Sequence, residues 1–206
     1  TYPMAVTSAG AILSYVKDTQ FSDLPHLRPP SLLVKAKTMT LDAVTLRNLE
    51  IVKTIGDSSK DTLFAVLNKT STAGGSRKLK DWLLRPLHDL DKLNQRHDAV
   101  QELFDNTLSR REIKDILKGF QDVERLLSRL GHGSISPRDL DSLKTSLNTL
   151  KDLKQFLSEE PLKSKLMKRL VKSIDVHKQV SEKLEEALVE EPPLVLRDGG
   201  IFKKGY

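Results

Sequence analysis

At 206 residues the chain is long enough for one large or two small cores, and 38% hydrophobic, 30% charged and only 5% aromatic residues point to helices covered in solvated charge rather than an aromatic-rich sandwich. Lys and Arg outnumber Asp and Glu by 34 to 28, and the resulting net charge of +6 favours approach to a polyanion. The absence of cysteine excludes disulfides, zinc-thiolate sites and thiol catalysis, and no window reaches the roughly 18 apolar residues of a membrane-spanning helix, so a soluble intracellular protein is expected.

The opening TYPMAVTSAG lacks the basic start of a secretory signal. From Ala5 to Val16 the positions Ala9, Ile12, Leu13 and Val16 draw one helical stripe, which predicts a first helix. Asp23-Leu-Pro-His and Arg28-Pro-Pro stop it, because proline disfavours the helical conformation of the residue before it. Leu33 to Leu41 is compatible with a short extended segment, and Asp42 can cap the helical turns that follow. Thr62 to Leu67 predicts a short helix, and a further helix runs from Thr72 through Leu79, Trp82 and Leu83 to the break at Pro86. Gly74 and Gly75 stand in its opening turn, where glycine is intrinsically poor for helix; the pair marks either a close approach of another backbone or a loop before a later helix start.

Beyond Pro86 the pattern lengthens. Leu90, Leu93, Val100, Leu103 and Phe104 predict one helix, and Ile113, Leu117, Phe120, Val123, Leu127 and Leu130 predict another that ends at Gly131 and Gly133. Ser136-Pro137 opens the next with proline where its missing N–H does no harm, and Leu140, Leu143, Leu147, Leu150, Leu153 and Leu157 line its buried face. Pro161 separates it from a last amphipathic segment, Leu162 to Leu188, with an interruption near Ser173 to Asp175. After Pro192-Pro193, Leu194 to Tyr206 reads as the start of a hairpin or a chain reversal around Asp198-Gly199-Gly200. Several leucine stripes in succession can bury one another, which favours a helical core over a membrane-surface or partner-binding helix. The basic group Lys163, Lys165, Lys168, Arg169 and Lys172 reads as a solvated helix face or a weak phosphate-facing surface.

A search for chemistry finds little. The phosphate-cradling G-x-x-x-x-G-K-[ST] loop is missing: Gly200 and Gly205 have the right separation, but Tyr206 stands where lysine is needed. The histidines His26, His88, His97, His132 and His177 form no short pairing that could hold a metal from one helix face. Asp122 and Glu124 beside Arg125 and Arg129 read as charge pairs along one helix rather than acid/base machinery, and Asp139 after Pro137 reads as helix-start geometry.

Several of these stretches, in the same order, resemble the core domain of the MutS family of DNA mismatch-recognition ATPases. SAGAILSYVKDTQ followed by LPHL resembles the start of that domain, and MTLDAVTLRNLEI resembles its M-x-L-D-x-x-T-x-R-N-L-E signature. LFAVLNKTSTAGGSRKLKDWLLRPL resembles the family's L-x-x-V-L-D-x-T-x-T-x-M-G-x-R-x-L-x-x-W-L-x-x-P, with Asn68 for the usual Asp and Gly74 for the usual Met. DVERLLSRLGHGSISPRDLDSL resembles the D-x-E-R to P-R-D-L segment, and GGIFKKGY the passage into a DNA-gripping clamp. The resemblance covers nearly all 206 residues.

It implies a mainly α, multi-helix core or lever domain over residues 1–206, with long amphipathic helices and a few short strands, joining a connector, a clamp and an ATPase in a dimeric DNA sliding clamp. A chain that opens on Thr1 and stops at Tyr206 is then expected to be a fragment without the clamp, ATPase and mismatch-reading parts, and not itself an enzyme. No catalytic, cofactor or metal residue is expected in it; ATP and magnesium would belong to the parent's ATPase. The expected partners are the remaining MutS domains, a second MutS-type subunit, mismatched double-stranded DNA through the whole protein and a repair factor of the MutL type, without a membrane, in the cytoplasm and nucleoid of a prokaryote or the nucleus of a eukaryote. Candidate structural and interdomain residues are Arg47, Asn48, Gly75, Arg77, Arg85, Pro86, Arg96, Arg125, Pro137, Arg138 and Asp139. An independent helical DNA-binding module, motivated by the charge of +6, is the alternative, and a free-standing enzyme has no supporting residues.

Overall fold

The computed structural model describes residues 3–20, 29 and 38–206. The chain divides into two compact units, Thr1–Val34 and Lys35–Tyr206. In the first, α1 (Pro3–Gln20) is the predicted opening helix, longer at both ends. Only part of its apolar stripe is covered: Ala9 and Val16 are half-buried, whereas Ile12 and Leu13 stay exposed. The stop expected over 23–30 lies outside the described residues apart from Pro29, as does the 33–37 part of the extended segment.

The second unit carries nine further helices among the described residues: α2 (Ala43–Asn48), α3 (Leu63–Leu67), α4 (Ala73–Leu84), α5 (Leu90–Asp105), α6 (Thr107–Leu117), α7 (Val123–Gly131), α8 (Pro137–Glu159), α9 (Lys165–Ser173) and α10 (Lys178–Ala187). The class is mainly α. The short strands reduce, among the described residues, to two isolated antiparallel bridges, Thr38 with Leu87 and Leu188 with Phe202. Most of these helices begin on a side chain suited to accept a free backbone N–H. The Asp42 carboxylate accepts from Thr45 N at 2.7 Å, Thr62 from Ala65 N at 3.2 Å and Thr72 from Gly75 N at 3.0 Å.

The helix expected from Thr72 therefore starts there, with Thr72 as its N-cap and no later start, and the two glycines separate in role. A Cβ on Gly74 would meet nothing within 4 Å, so Gly74 is not a close-approach point; a Cβ on Gly75 would lie 2.9 Å from the Thr72 hydroxyl. The constraint at Gly75 comes from its own cap rather than from another backbone.

One predicted helix is two. The Ile113 to Leu130 pattern breaks between α6 and α7, and Phe120 falls in the connection. The break is held by α8: a Cβ on Gly119 would stand 2.8 Å from the Thr149 hydroxyl, and the Gln121 N–H donates to the fully buried Ser146 hydroxyl at 3.0 Å. After the turn the helical phase is reset, so Leu126 is the buried position of α7 while Leu127 and Leu130 stay exposed.

Helix α8 is the spine of this unit. Its 23 residues span about 34 Å at 1.5 Å per residue, and α6, α7, α9 and α10 all pack on it. Leu143, Leu147 and Leu157 are buried along it, and Leu157 joins Ala99 of α5 and Met167 of α9 in a cluster sealed by Leu103, Ile113, Leu153 and Phe156. The last amphipathic segment breaks after Ser173, where the Ile174 carbonyl accepts from Lys154 Nζ of α8 at 2.7 Å and His177 takes a left-handed conformation (φ 45°). The terminal reversal is present: Gly199 and Gly200 sit at positive φ, the Val189 N–H donates to the Ile201 carbonyl at 3.1 Å, and the Lys203 N–H to that of Ala187 at 2.8 Å.

Candidate interhelix junction

Some of the candidates stand where helix ends meet. Arg77 on α4 faces the first turn of α7, where its Nη1 and Nη2 donate to the two Asp122 carboxylate oxygens at 3.0 and 2.7 Å, and Nη2 also lies 2.7 Å from Glu124 Oε2. The paired geometry matches a planar guanidinium to a planar carboxylate. It differs from the charge pairing expected along α7: Asp122 is the N-cap, and Arg125 supplies its backbone N–H at 3.5 Å. The reason is positional, since a cap carboxylate points back over the helix start and is open to a neighbouring helix. The Arg77 hydrogen bonds hold the Asp122 carboxyl below the usual carboxylate range, and the carboxylate in turn raises Arg77.

The next junction joins α7 to α8. Ser136 and Asp139 form a capping box, with Asp139 N donating to Ser136 Oγ at 3.1 Å and Ser136 N to Asp139 Oδ2 at 3.0 Å; Pro137 is fully buried beside them. Arg129, and not Arg125, reaches across to Asp139 Oδ1 at 2.6 Å. The Ser136 N–H, then the Ser136 hydroxyl and Arg129, hold the Asp139 carboxyl low against the effect of burial. At the other end of α8, its C-cap Glu160 accepts from Asn106 Nδ2 at 3.4 Å and from the Ser109 hydroxyl, both at the start of α6. Both ends of the spine are thus pinned.

Three further contacts tie α4 and α5 into the assembly. The Arg96 guanidinium of α5 lies 3.7 Å from the centre of the Trp82 ring on α4, and burial lowers its pKa. Glu102 of α5 accepts from the backbone N–H groups of Lys163 and Ser164, the latter at 3.0 Å, and so steadies the entrance to α9. Burial pulls the Glu102 carboxyl up, but these donors outweigh it and leave it lowered. Pro86 closes α4 with its carbonyl accepting from Met39 N at 2.7 Å, beside the Thr38–Leu87 bridge.

The remaining candidates are more local. Arg85 bonds Asp81 one turn back on α4 at 3.2 Å. Arg47 and Asn48 are exposed on α2, and Arg138 is exposed at the start of α8; among the described residues, neither arginine forms an ion pair. Sequence reasoning placed Arg129 in charge pairs along its own helix rather than with Asp139, and missed Glu102, Glu160 and Arg110, the last of which donates to the Leu103 and Phe104 carbonyls at the end of α5, both at 2.7 Å. A weak signal existed for Arg110, since a cation shortly after a helix end satisfies free carbonyls.

A depression of about 810 Å³ is an acidic cleft between α5 and the start of α9 lined by Asp91, Asp98, Glu102 and Asp105 with Lys163 and Lys165. Its one hydroxyl, Ser164, is engaged in capping Met167 N at 3.3 Å. No three His, Asp or Glu residues among those described stand as a group able to hold a metal ion, and no described helix is long and apolar enough to cross a membrane. What the described residues bring together are ties between helices.

Comparison with known proteins gives a consistent picture. Residues 44–204 match the family model described as MutS domain III. The chain is 40% identical to the DNA mismatch repair protein MutS of Methanosarcina acetivorans over 206 residues, covering 98% of this chain and 23% of that protein. It is 41% identical to the protein of the same name from Pelotomaculum thermopropionicum, covering 100% and 24%, and 39% identical to that of Halothermothrix orenii, covering 99% and 23%. The chain thus spans about a quarter of the length of the curated relatives it matches.

Proposed function

Since the chain belongs to the MutS domain III family, we propose that it is the structural and signal-transmitting core of a DNA mismatch repair protein, linking mismatched-DNA binding to a remote ATPase. The observation that carries this reading is the pinned spine. A long helix fixed at its start by Arg129–Asp139 and at its end by Glu160 moves as one piece, and a rigid element with two arrangements can couple distant sites. The Arg77 clamp on Asp122 and Glu124 extends that body to α4.

The described residues do not fit a nucleotide with magnesium. Gly200 and Gly205 lie in the terminal reversal, with Tyr206 where a phosphate-binding lysine would stand, and among the described residues no three His, Asp or Glu gather there to hold a metal. On this reading, ATP hydrolysis, contact with the mismatch, a second MutS-type subunit and a MutL-type factor belong to the remaining three quarters of a longer protein, acting in the cytoplasm of a prokaryote.

The test is made in a mismatch repair protein carrying this chain. Arg77→Ala is expected to slow ATP-dependent release from mismatched DNA while leaving ATP hydrolysis without DNA intact; unchanged release together with an unchanged melting temperature sinks the reading. The independent DNA-binding module predicts instead that the 206-residue chain alone binds duplex DNA tightly at physiological salt with a steep salt slope.

A further inference from the structure

Between α4, α5 and α9 lies a groove of about 320 Å³ whose floor is apolar: Trp82, Leu87, Leu166 and Leu170. Trp82 and Leu170 remain 37% and 48% exposed, so the chain itself leaves this surface open. The rim is basic, with Lys78, Lys92, Arg96 and Arg169 around the opening. Lys78 and Lys92 have Asp81 and Asp89 on their own elements at 3.9 and 3.6 Å, and Arg96 stacks on Trp82. Arg169 is exposed and forms no ion pair with another described residue, so a net positive charge faces the groove.

We propose that this groove docks an acidic amphipathic peptide segment of a partner protein, with apolar side chains on the Trp82–Leu170 floor and carboxylates against Arg169 and Lys92. The volume is at the bottom of the range of small-molecule pockets, about 300 to 1,000 Å³, which suits one or two apolar side chains better than a cofactor. Charge complementarity chooses the flanks: a basic partner is repelled, and a neutral one leaves Arg169 unpaired. A DNA duplex presents phosphates on its outside and keeps its apolar thymine methyls recessed in the major groove, out of reach of a concave floor, which sets peptide apart from nucleic acid here. The choice rests on the groove alone and not on the proposed role in mismatch repair.

The chain contains one tryptophan, so its own fluorescence reports the groove floor. The probe is a synthetic helical peptide without Trp or Tyr, bearing leucines at i and i+4 flanked by glutamates. Its titration is expected to change Trp82 emission saturably, with affinity about tenfold above that of the same peptide carrying glutamine for every glutamate, and falling with salt. Arg169→Glu is expected to weaken binding at least as much while the circular dichroism spectrum stays unchanged. Should that variant lose helicity, Arg169→Gln is measured in its place, with weakening by about threefold expected. Equal binding of the glutamine peptide, no saturable emission change, or binding indifferent to Arg169 overturns the proposal. Displacement of the peptide by a short DNA duplex at equal phosphate and carboxylate concentration overturns it in favour of a nucleic-acid surface.

Discussion

Neighbouring residues of one type carry opposite constraints, and the glycines at the start of α4 make this measurable. Gly74 faces open space inside a helical turn, so Gly74→Ala is expected to raise stability by about 0.5 to 1 kcal/mol through lost chain entropy. Gly75→Ala places a methyl group 2.9 Å from the hydroxyl that caps its own N–H, and is expected to lower the melting temperature. Thermal unfolding of the two variants side by side checks the pair, and a loss in both would mean that the cap geometry is wrong. Asp122 allows a second test. Its carboxyl is held below its ordinary value by Arg77, so the stabilisation it supplies is complete above the unfolded pKa of about 4 and is lost as pH falls through the lower folded value. Asp122→Asn keeps a side chain able to cap α7 but not the charge, and is expected to flatten the fall in melting temperature between about pH 5 and 2. An identical pH profile in the variant would remove the Arg77 pair from the account.

At the scale of elements, the connection between α6 and α7 decides how the helices meet the spine. Gly119→Ala drives a methyl group into the Thr149 side chain of α8 and is expected to cost about 1 to 3 kcal/mol. Thr149→Ser keeps the hydroxyl, and thus its bond to the Thr145 carbonyl at 2.9 Å, but Thr149→Ala makes room. Denaturant melts of the cycle should therefore return part of the loss in Gly119→Ala/Thr149→Ala and none in the serine double variant; additivity throughout would deny the contact. The same connection marks the limit of what the sequence discloses. The cap at Asp42, the helix starts at Thr62, Thr72 and Ser136-Pro137 and the leucine register of α8 are local patterns, and the structure reproduces them. The stripe from Ile113 to Leu130 keeps nearly ideal helical spacing across a break that only α8 imposes, through Ser146 and Thr149 far along the chain. Pairings such as Arg77 with Asp122, 45 residues apart, are equally silent in any local window, whereas Asp139 could be placed at a helix start because Pro137 stands just before it in the sequence.

For the whole molecule, the stiffness of α8 is what a transmitting role requires, and that stiffness can be altered without touching either pinned end. Lys151 and Asp152 are exposed near its middle and take no part in the buried leucine face. Replacing both with glycine should cost about 2 kcal/mol and soften the helix, while replacing both with alanine should leave it as stiff as before. In a mismatch repair protein carrying this chain, the glycine pair is expected to reduce ATP-dependent release from mismatched DNA by about tenfold, with DNA affinity and ATP hydrolysis without DNA each changed by less than about threefold; tenfold corresponds to about 1.4 kcal/mol of lost coupling, within the usual range. The alanine pair should match the parent. Lost stability could mimic lost coupling, so the comparison includes a variant weakened elsewhere, Ile51→Val in the buried turn between α2 and α3, with an expected cost of about 0.5 to 1.5 kcal/mol. If that variant loses release in proportion to its melting temperature, as the glycine pair does, the spine supports the fold but transmits nothing. If release falls only when α8 is softened, the pinned ends and the helix between them act as one moving part.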